Sequence, residues 1–114
     1  MLKTETLLFT AEVTYKELRR AVKNKPLEMW EREIREFAFE RDPDPQECGY
    51  CNKCDIDYTE GYGHNFYYIS CVADVTWDCD EDGTYNELVE MDYDDCMTEE
   101  RLKALQEELC LDDF

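Results

Sequence analysis

Apolar and polar residues alternate through two neighbouring stretches of the chain, "FYYISCVADVTWDCD" at 66–80 and "TYNELVEMDY" at 84–93. A period of two is typical of β-strands, because successive side chains in a strand point to opposite faces of a sheet. Only three residues separate the two stretches, which is short enough for a tight hairpin loop. The sequence therefore predicts an antiparallel hairpin in which 66–79 pairs with 84–93.

The loop 81–83 also predicts how the two strands are aligned. A three-residue hairpin loop favours a glycine in the left-handed conformation at its end, and Gly83 stands there. Because directly opposed residues share a face of the sheet, this loop is expected to place Val75 opposite Val89.

The remaining elements follow from periodicity and from residues that begin and end helices. Thr14 and Thr98 are suitable N-caps, and Pro26 fits the first turn of a helix. The pattern predicts one further strand near 6–14 and helices near 15–24, 27–41 and 98–110. Residues 42–65 are expected to be irregular. The predicted fold is α+β, a single domain spanning 1–114 in which helices cover one face of a small antiparallel sheet.

The net charge of −18 is unevenly distributed along the chain. Residues 1–41 carry nine Lys or Arg against eight Glu, whereas Asp74 to Glu100 contain twelve acidic residues and no Lys or Arg. Such a field repels nucleic acid and anionic membranes and attracts basic partners. The charge alone is also compatible with a purely solubilising surface.

Acidic side chains on the outer face of the hairpin form the predicted partner-binding surface. Side chains on one face of a strand lie about 6.6–6.8 Å apart, close to the roughly 6–7 Å between successive phosphates of an extended nucleic-acid strand. Glu90, Asp92 and Asp94 are expected to form one such row. The full predicted set is Asp74, Asp78, Asp80, Glu81, Asp82, Glu90, Asp92, Asp94 and Asp95.

In size, charge and Asp/Glu/Tyr composition the chain resembles the small acidic phage proteins that mimic nucleic acid, among them anti-CRISPR and anti-restriction inhibitors. The resemblance assigns no functional role to any individual residue of this chain. It implies a non-catalytic inhibitor that occupies the basic nucleic-acid-binding surface of a larger protein, such as a CRISPR effector.

A cysteine cluster, "ECGYCNKC", supports an alternative function as a small zinc-stapled structural or adaptor module. Cys48, Cys51 and Cys54 have the C-x2-C-x2-C spacing, which lets thiolates meet one tetrahedral Zn²⁺ at about 2.3 Å. His64, the only histidine, or Cys71 would supply the fourth ligand. The spacing also resembles the start of a bacterial ferredoxin motif, although no C-x3-C-P follows. Free, buried thiols are the simpler explanation.

A second alternative is a calcium-binding hairpin. Asp78, Asp80, Asp82 and Gly83 match the D-x-D-x-D-G opening of a calcium loop. The twelfth position is Val89 instead of the bidentate glutamate, and the flanking residues are predicted strands. The pattern therefore favours an acidic hairpin turn.

No catalytic motif accompanies these features, so we expect the protein not to be an enzyme. There is one histidine and no nucleophile elbow, phosphate-binding loop or zinc-protease signature. No apolar run approaches the roughly 18 residues of a membrane span. With seven cysteines and no secretory leader pattern, the expected compartment is the cytoplasm, where the thiols are reduced or metal-bound.

Overall fold

A five-stranded antiparallel sheet forms the framework of the protein in a computed structural model that describes residues 1–49, 53–61 and 64–109. Four strands lie in the order β2-β1-β4-β3, and β5 pairs with β4. The strands are β1 (Leu2–Thr14), β2 (Gln46–Glu47), β3 (Cys54–Gly61), β4 (His64–Cys79) and β5 (Tyr85–Asp92).

The long strand β4 organises this sheet. One edge of β4 pairs with β1 along nearly its whole length, from Phe66 to Asp78. Its other edge is shared, since β3 pairs with the first half and β5 with the second half. A break between two paired strands therefore lies on that edge, near Val72 and Ala73.

The described residues also form three α-helices: α1 (Tyr15–Val22), α2 (Trp30–Arg41), which follows a short 3-10 helix (Leu27–Met29), and α3 (Glu99–Glu108). Thr14 begins α1 with a capping box, in which its hydroxyl accepts from the Glu17 amide and the Glu17 carboxylate accepts from the Thr14 amide. Thr98 caps α3 by accepting from the Arg101 amide at 3.1 Å.

The helices cover one face of the sheet, and the core lies between the two layers. Alternating residues of β1 and β4 point inward, against Trp30, Ile34 and Ala38 of α2. The buried residues of this alternating set are Leu7, Phe9, Ala11, Val13, Tyr67, Ile69, Cys71, Ala73 and Val75. The structure thus confirms the α+β class, the small antiparallel sheet and the three helices.

One strand is longer than predicted, and one prediction about the sheet is wrong. The first strand begins at Leu2 instead of residue 6, and the region 42–65, expected to be irregular, contains β2 and β3. In β3 the buried residues Cys54 and Ile56 alternate with the exposed Asp55 and Asp57. This alternation is the period of two that is typical of a strand.

The hairpin β4–β5 has the predicted three-residue loop but not the predicted alignment. Asp80 donates its amide to the Thr84 carbonyl at 2.9 Å, and Gly83 has a positive φ of 88°. Two register shifts then follow, which leave Asn86 and Val89 as extra residues in β5. Val75 consequently lies opposite Met91 instead of Val89.

Candidate functional site

Five acidic side chains lie on the sheet face opposite to the helices, and we call them the hairpin face: Asp74, Asp78, Glu87, Glu90 and Asp92. Their position follows from alternation, because Ala73 and Val75 are buried beneath the helices and Asp74 points the other way. The pairing of β4 with β5 then places Asp92 opposite Asp74 and Glu90 opposite Thr76.

Like charges are directly opposed on this face. Asp74 lies opposite Asp92, and Asp78 lies opposite Glu87. Directly opposed like charges destabilise a sheet by a few tenths of a kcal/mol to about 1 kcal/mol per pair. Within the described residues no Lys or Arg forms an ion pair with the hairpin face. The contacts present are a hydrogen bond from the Thr6 hydroxyl to Asp74 at 2.7 Å and an approach of the Met1 amino group to Asp78 at 3.5 Å.

The two bulges change which acidic residues share a row. Glu90 and Asp92 lie in one row as predicted, and the bulge at Val89 adds Glu87 to it. The predicted third member, Asp94, lies beyond the end of β5, and its carbonyl accepts from Arg35 at 3.0 Å. A signal for the bulge is present in the sequence, since the adjacent apolar residues Leu88 and Val89 interrupt the alternation.

The turn acids Asp80, Glu81 and Asp82 extend the charge around the hairpin tip. Asp80 accepts from the Asn86 side chain at 2.8 Å, and Asp82 accepts from the Thr84 amide at 3.0 Å. This backbone hydrogen bond holds the pKa of Asp82 below its usual value, because it favours the ionised carboxylate. The hairpin assignment is therefore confirmed, and two carboxylates of the predicted calcium loop accept hydrogen bonds from the hairpin itself.

Exposed apolar side chains accompany the acids on the hairpin. Tyr85 is 42% exposed, Leu88 46% and Val89 53%. Tyr85 stacks on Trp77 with ring centroids 5.6 Å apart and planes at 11°, and its hydroxyl donates to Glu5 at 2.5 Å. Aromatic and aliphatic side chains surrounded by polar groups are typical of protein-binding surfaces.

The cysteines predicted to bind zinc are not all within the described residues. Cys51 lies outside them, and for His64 only the backbone is described. Cys48 donates its amide to Thr6 on β1, whereas Cys54 lies in β3 beyond β4. Three strand spacings separate these two residues, roughly 14 Å, so they do not share an ion in this structure. The zinc site stays a prediction.

Cys54 lies directly opposite Cys71, the alternative fourth ligand. Burial raises the pKa of Cys54 well above its usual value and that of Cys71 to about 12, since the thiolate loses its hydration. Both thiols are free and belong to the core. In the part of the chain that the structure describes, no three His, Cys, Asp or Glu side chains are arranged to hold a metal ion.

A buried ion pair, Glu31–Arg35, was not predicted from the sequence. The two residues have the i, i+4 spacing of an ordinary surface pair, but Glu31 is 2% exposed and Arg35 is fully buried. The Arg35 Nε donates to Glu31 at 3.2 Å, and the guanidinium lies 4.6 Å from the centre of the Tyr93 ring. Nearby negative charge raises the pKa of Arg35 although burial opposes this.

The pair joins three parts of the fold. Arg35 donates to the Val72 carbonyl at 2.9 Å, at the break between β3 and β5, and to the Asp94 carbonyl. Glu31 accepts from the amides of Cys96 and Met97. The pair therefore fixes the segment that leads from the hairpin to α3.

A comparison with family models, curated proteins and solved structures found no match for this chain. Among the described residues, no helix has the length and apolar character needed to cross a bilayer.

Proposed function

We propose that this protein is a non-catalytic inhibitor or binding protein whose hairpin face occupies the basic nucleic-acid-binding surface of a larger protein, such as a CRISPR effector. The single observation that carries this proposal is the opposition of like charges, Asp74 with Asp92 and Asp78 with Glu87, on an open sheet face. A merely solubilising surface gains nothing from placing carboxylates opposite one another, since this arrangement lowers stability.

The spacing of the hairpin face supports phosphate mimicry. Along a strand, carboxylates on one face repeat about every 6.6–6.8 Å, and the neighbouring row lies about 4.8 Å away. A groove that binds nucleic acid presents Lys and Arg to phosphates at a similar interval. Binding of the hairpin face in such a groove would release the anions condensed around its basic side chains, so the affinity should fall with increasing salt.

The apolar part of the hairpin supports a protein partner. Tyr85 and Leu88 are exposed on the other face of the same hairpin, where they lie opposite Cys79 and Trp77, and Val89 is exposed at the bulge next to Glu90. These side chains can bury area against the wall of a protein groove and supply affinity that charge alone gives weakly.

Displacement of labelled DNA from CRISPR effector ribonucleoproteins tests the proposal. We expect the wild-type protein to displace DNA from at least one effector in a fluorescence-anisotropy titration at 0.15 M NaCl. The triple variant Glu87→Gln, Glu90→Gln, Asp92→Asn should bind at least about tenfold more weakly, at roughly 0.5–1 kcal/mol per lost contact.

A matched control removes the same charge elsewhere. Glu40, Asp44 and Glu100 are exposed and lie outside the sheet, and their neutralisation should change the affinity less than about threefold. Equal loss in both triple variants would indicate a net-charge effect and reject the hairpin face as the site. Failure to displace DNA from any effector tested would reject this class of partner.

The hairpin variants should also be more stable than the wild type. Glu87→Gln and Asp92→Asn each relieve one opposed pair, so each should raise the free energy of unfolding by about 0.2–1 kcal/mol. A fall in stability, measured by urea unfolding, would contradict the premise that these carboxylates repel each other.

A further inference from the structure

A concave surface lies on the helix side of the protein, between the start of α2 and the start of α3. This groove has a volume of about 440 Å³ and is lined by the 3-10 helix, the segment after β5 and the first turns of α3. Pockets that bind ligands commonly have volumes of about 300–1,000 Å³. The lining residues are Leu27, Glu28, Glu31, Asp95, Met97, Glu99 and Leu102.

The groove has an apolar floor and an acidic rim. Leu27, Met97 and Leu102 are buried or half-buried and pack against the hydrophobic core. Glu28, Asp95 and Glu99 are exposed at the edges. An apolar surface beneath three carboxylates is complementary to a long side chain with a hydrocarbon stem and a cationic end.

The walls of the groove are fixed before any ligand binds. Glu31 accepts from the Met97 amide, which holds the segment after β5 against α2. The Thr98 hydroxyl accepts from the Arg101 amide and fixes the start of α3. A preformed site loses little conformational entropy on binding.

The rim charges are available to a partner. Among the described residues, Glu28 and Asp95 form no ion pair. Glu99 pairs with Lys103 at 3.1 Å, but both side chains are more than 60% exposed, and such a pair contributes little. Glu31, the buried carboxylate of the lining, is already paired with Arg35.

We infer that this groove binds an arginine side chain of a basic protein partner, with the stem on Met97 and Leu102 and the guanidinium at Glu28 and Asp95. Arginine fits better than lysine because its guanidinium is more weakly hydrated and can donate to two carboxylates in a fixed plane. The groove and the hairpin face lie on opposite sides of the sheet, so this site does not depend on the proposed function.

Blocked pentapeptides provide the test. Ac-Gly-Gly-Arg-Gly-Gly-NH2 is titrated into the ¹⁵N-labelled full chain at low salt, and the amide shifts of Met97 and Leu102 are followed by NMR. We expect saturable shifts with a Kd in the millimolar range. A peptide with citrulline, which keeps the shape and loses the charge, should bind at least about fivefold more weakly. A peptide whose guanidinium stem is two methylenes shorter should also bind more weakly, because it cannot cover the floor.

Two variants separate the groove from the general acidity of the protein. Glu28→Gln with Asp95→Asn alters only exposed carboxylates and should weaken peptide binding by about three- to tenfold. The hairpin triple variant should leave the shifts of Met97 and Leu102 unchanged.

Four outcomes would overturn the assignment. The first two are binding of the citrulline peptide as tight as that of the arginine peptide, and binding of the arginine peptide to the rim variant as tight as to the wild type. The other two are amide shifts confined to the hairpin, and no amide shifts at 10 mM peptide. Equal binding of citrulline would indicate an apolar docking site instead.

Discussion

Replacement of Arg35 by methionine should be among the most damaging single substitutions in this protein. The side chain is fully buried and donates to Glu31, to the carbonyls of Val72 and Asp94, and to the Cys96 sulfur at 3.4 Å. Methionine fills much of the volume but leaves the Glu31 charge and two carbonyls without this donor. Each buried acceptor left unsatisfied costs about 1–3 kcal/mol, and breaking a buried ion pair costs about 3–5 kcal/mol in all. We therefore expect a loss of about 3–5 kcal/mol, against a total stability of about 5–15 kcal/mol for an ordinary domain.

Urea unfolding followed by circular dichroism measures this loss, and Arg32→Met is the matched control. Arg32 lies one turn earlier on the same helix, is 61% exposed and pairs with Glu36 at 3.6 Å. Its replacement should cost less than about 1 kcal/mol. In Arg35→Met, native-state hydrogen exchange should accelerate first at the amides of Cys96 and Met97. A free energy of unfolding within 1 kcal/mol of the control variant would refute the reasoning, since the ion pair would then not hold the fold together.

Two further predictions concern helix and turn chemistry. The Arg41 guanidinium and the Thr14 amide lower the pKa of Glu17 to about 2. The ionised Glu17 carboxylate therefore stabilises the fold fully above pH 4.5, and this stabilisation is lost as the pH falls towards 2. Glu17→Gln should therefore lower the free energy of unfolding, measured with urea, by about 0.5–1 kcal/mol at pH 7. This difference from the wild type should approach zero near pH 2, and a difference that does not change with pH would contradict the argument. Gly83→Ala should cost about 1 kcal/mol because φ is 88° while the new methyl group meets no atom within 4 Å. Gly49→Ala, which has equal space and no positive φ, should be nearly neutral, and equal thermal midpoints for the two variants would refute the argument.

Local patterns in the sequence predicted the elements whose inner faces are buried by helices. The alternation through Tyr67, Ile69 and Cys71 exists because these side chains meet α2. The first residues of β1 were not predicted as strand, because this part of the strand extends past the helices. There Lys3 and Glu5 occupy the inward-facing positions, so no apolar alternation marks the strand.

The remaining differences arise from contacts that sequence periodicity does not encode. Glu31 and Arg35 have the i, i+4 spacing of an ordinary surface pair, and only the fold shows that two carbonyls and two amides converge on them. The alignment of the hairpin depends on bulges, and each bulge shifts one strand by one residue against its partner. For this reason the turn and its glycine were predicted correctly, whereas the membership of Glu87 in the hairpin face was not.

The buried ion pair and the self-repelling hairpin are connected in physical terms. Within the described residues strand β5 pairs with β4 alone, and seven of its eight residues, all except Met91, are exposed, so apolar burial contributes little to its attachment. The opposed carboxylates weaken that attachment further. Arg35 compensates at the base of the hairpin, since it binds β4 through Val72 and the chain after β5 through Asp94. The attachment is thus concentrated in a buried group that contacts neither row of the hairpin face. Carboxylates on that face can therefore be arranged for a basic partner without serving the fold, which is the arrangement that a charge-mimicking surface requires.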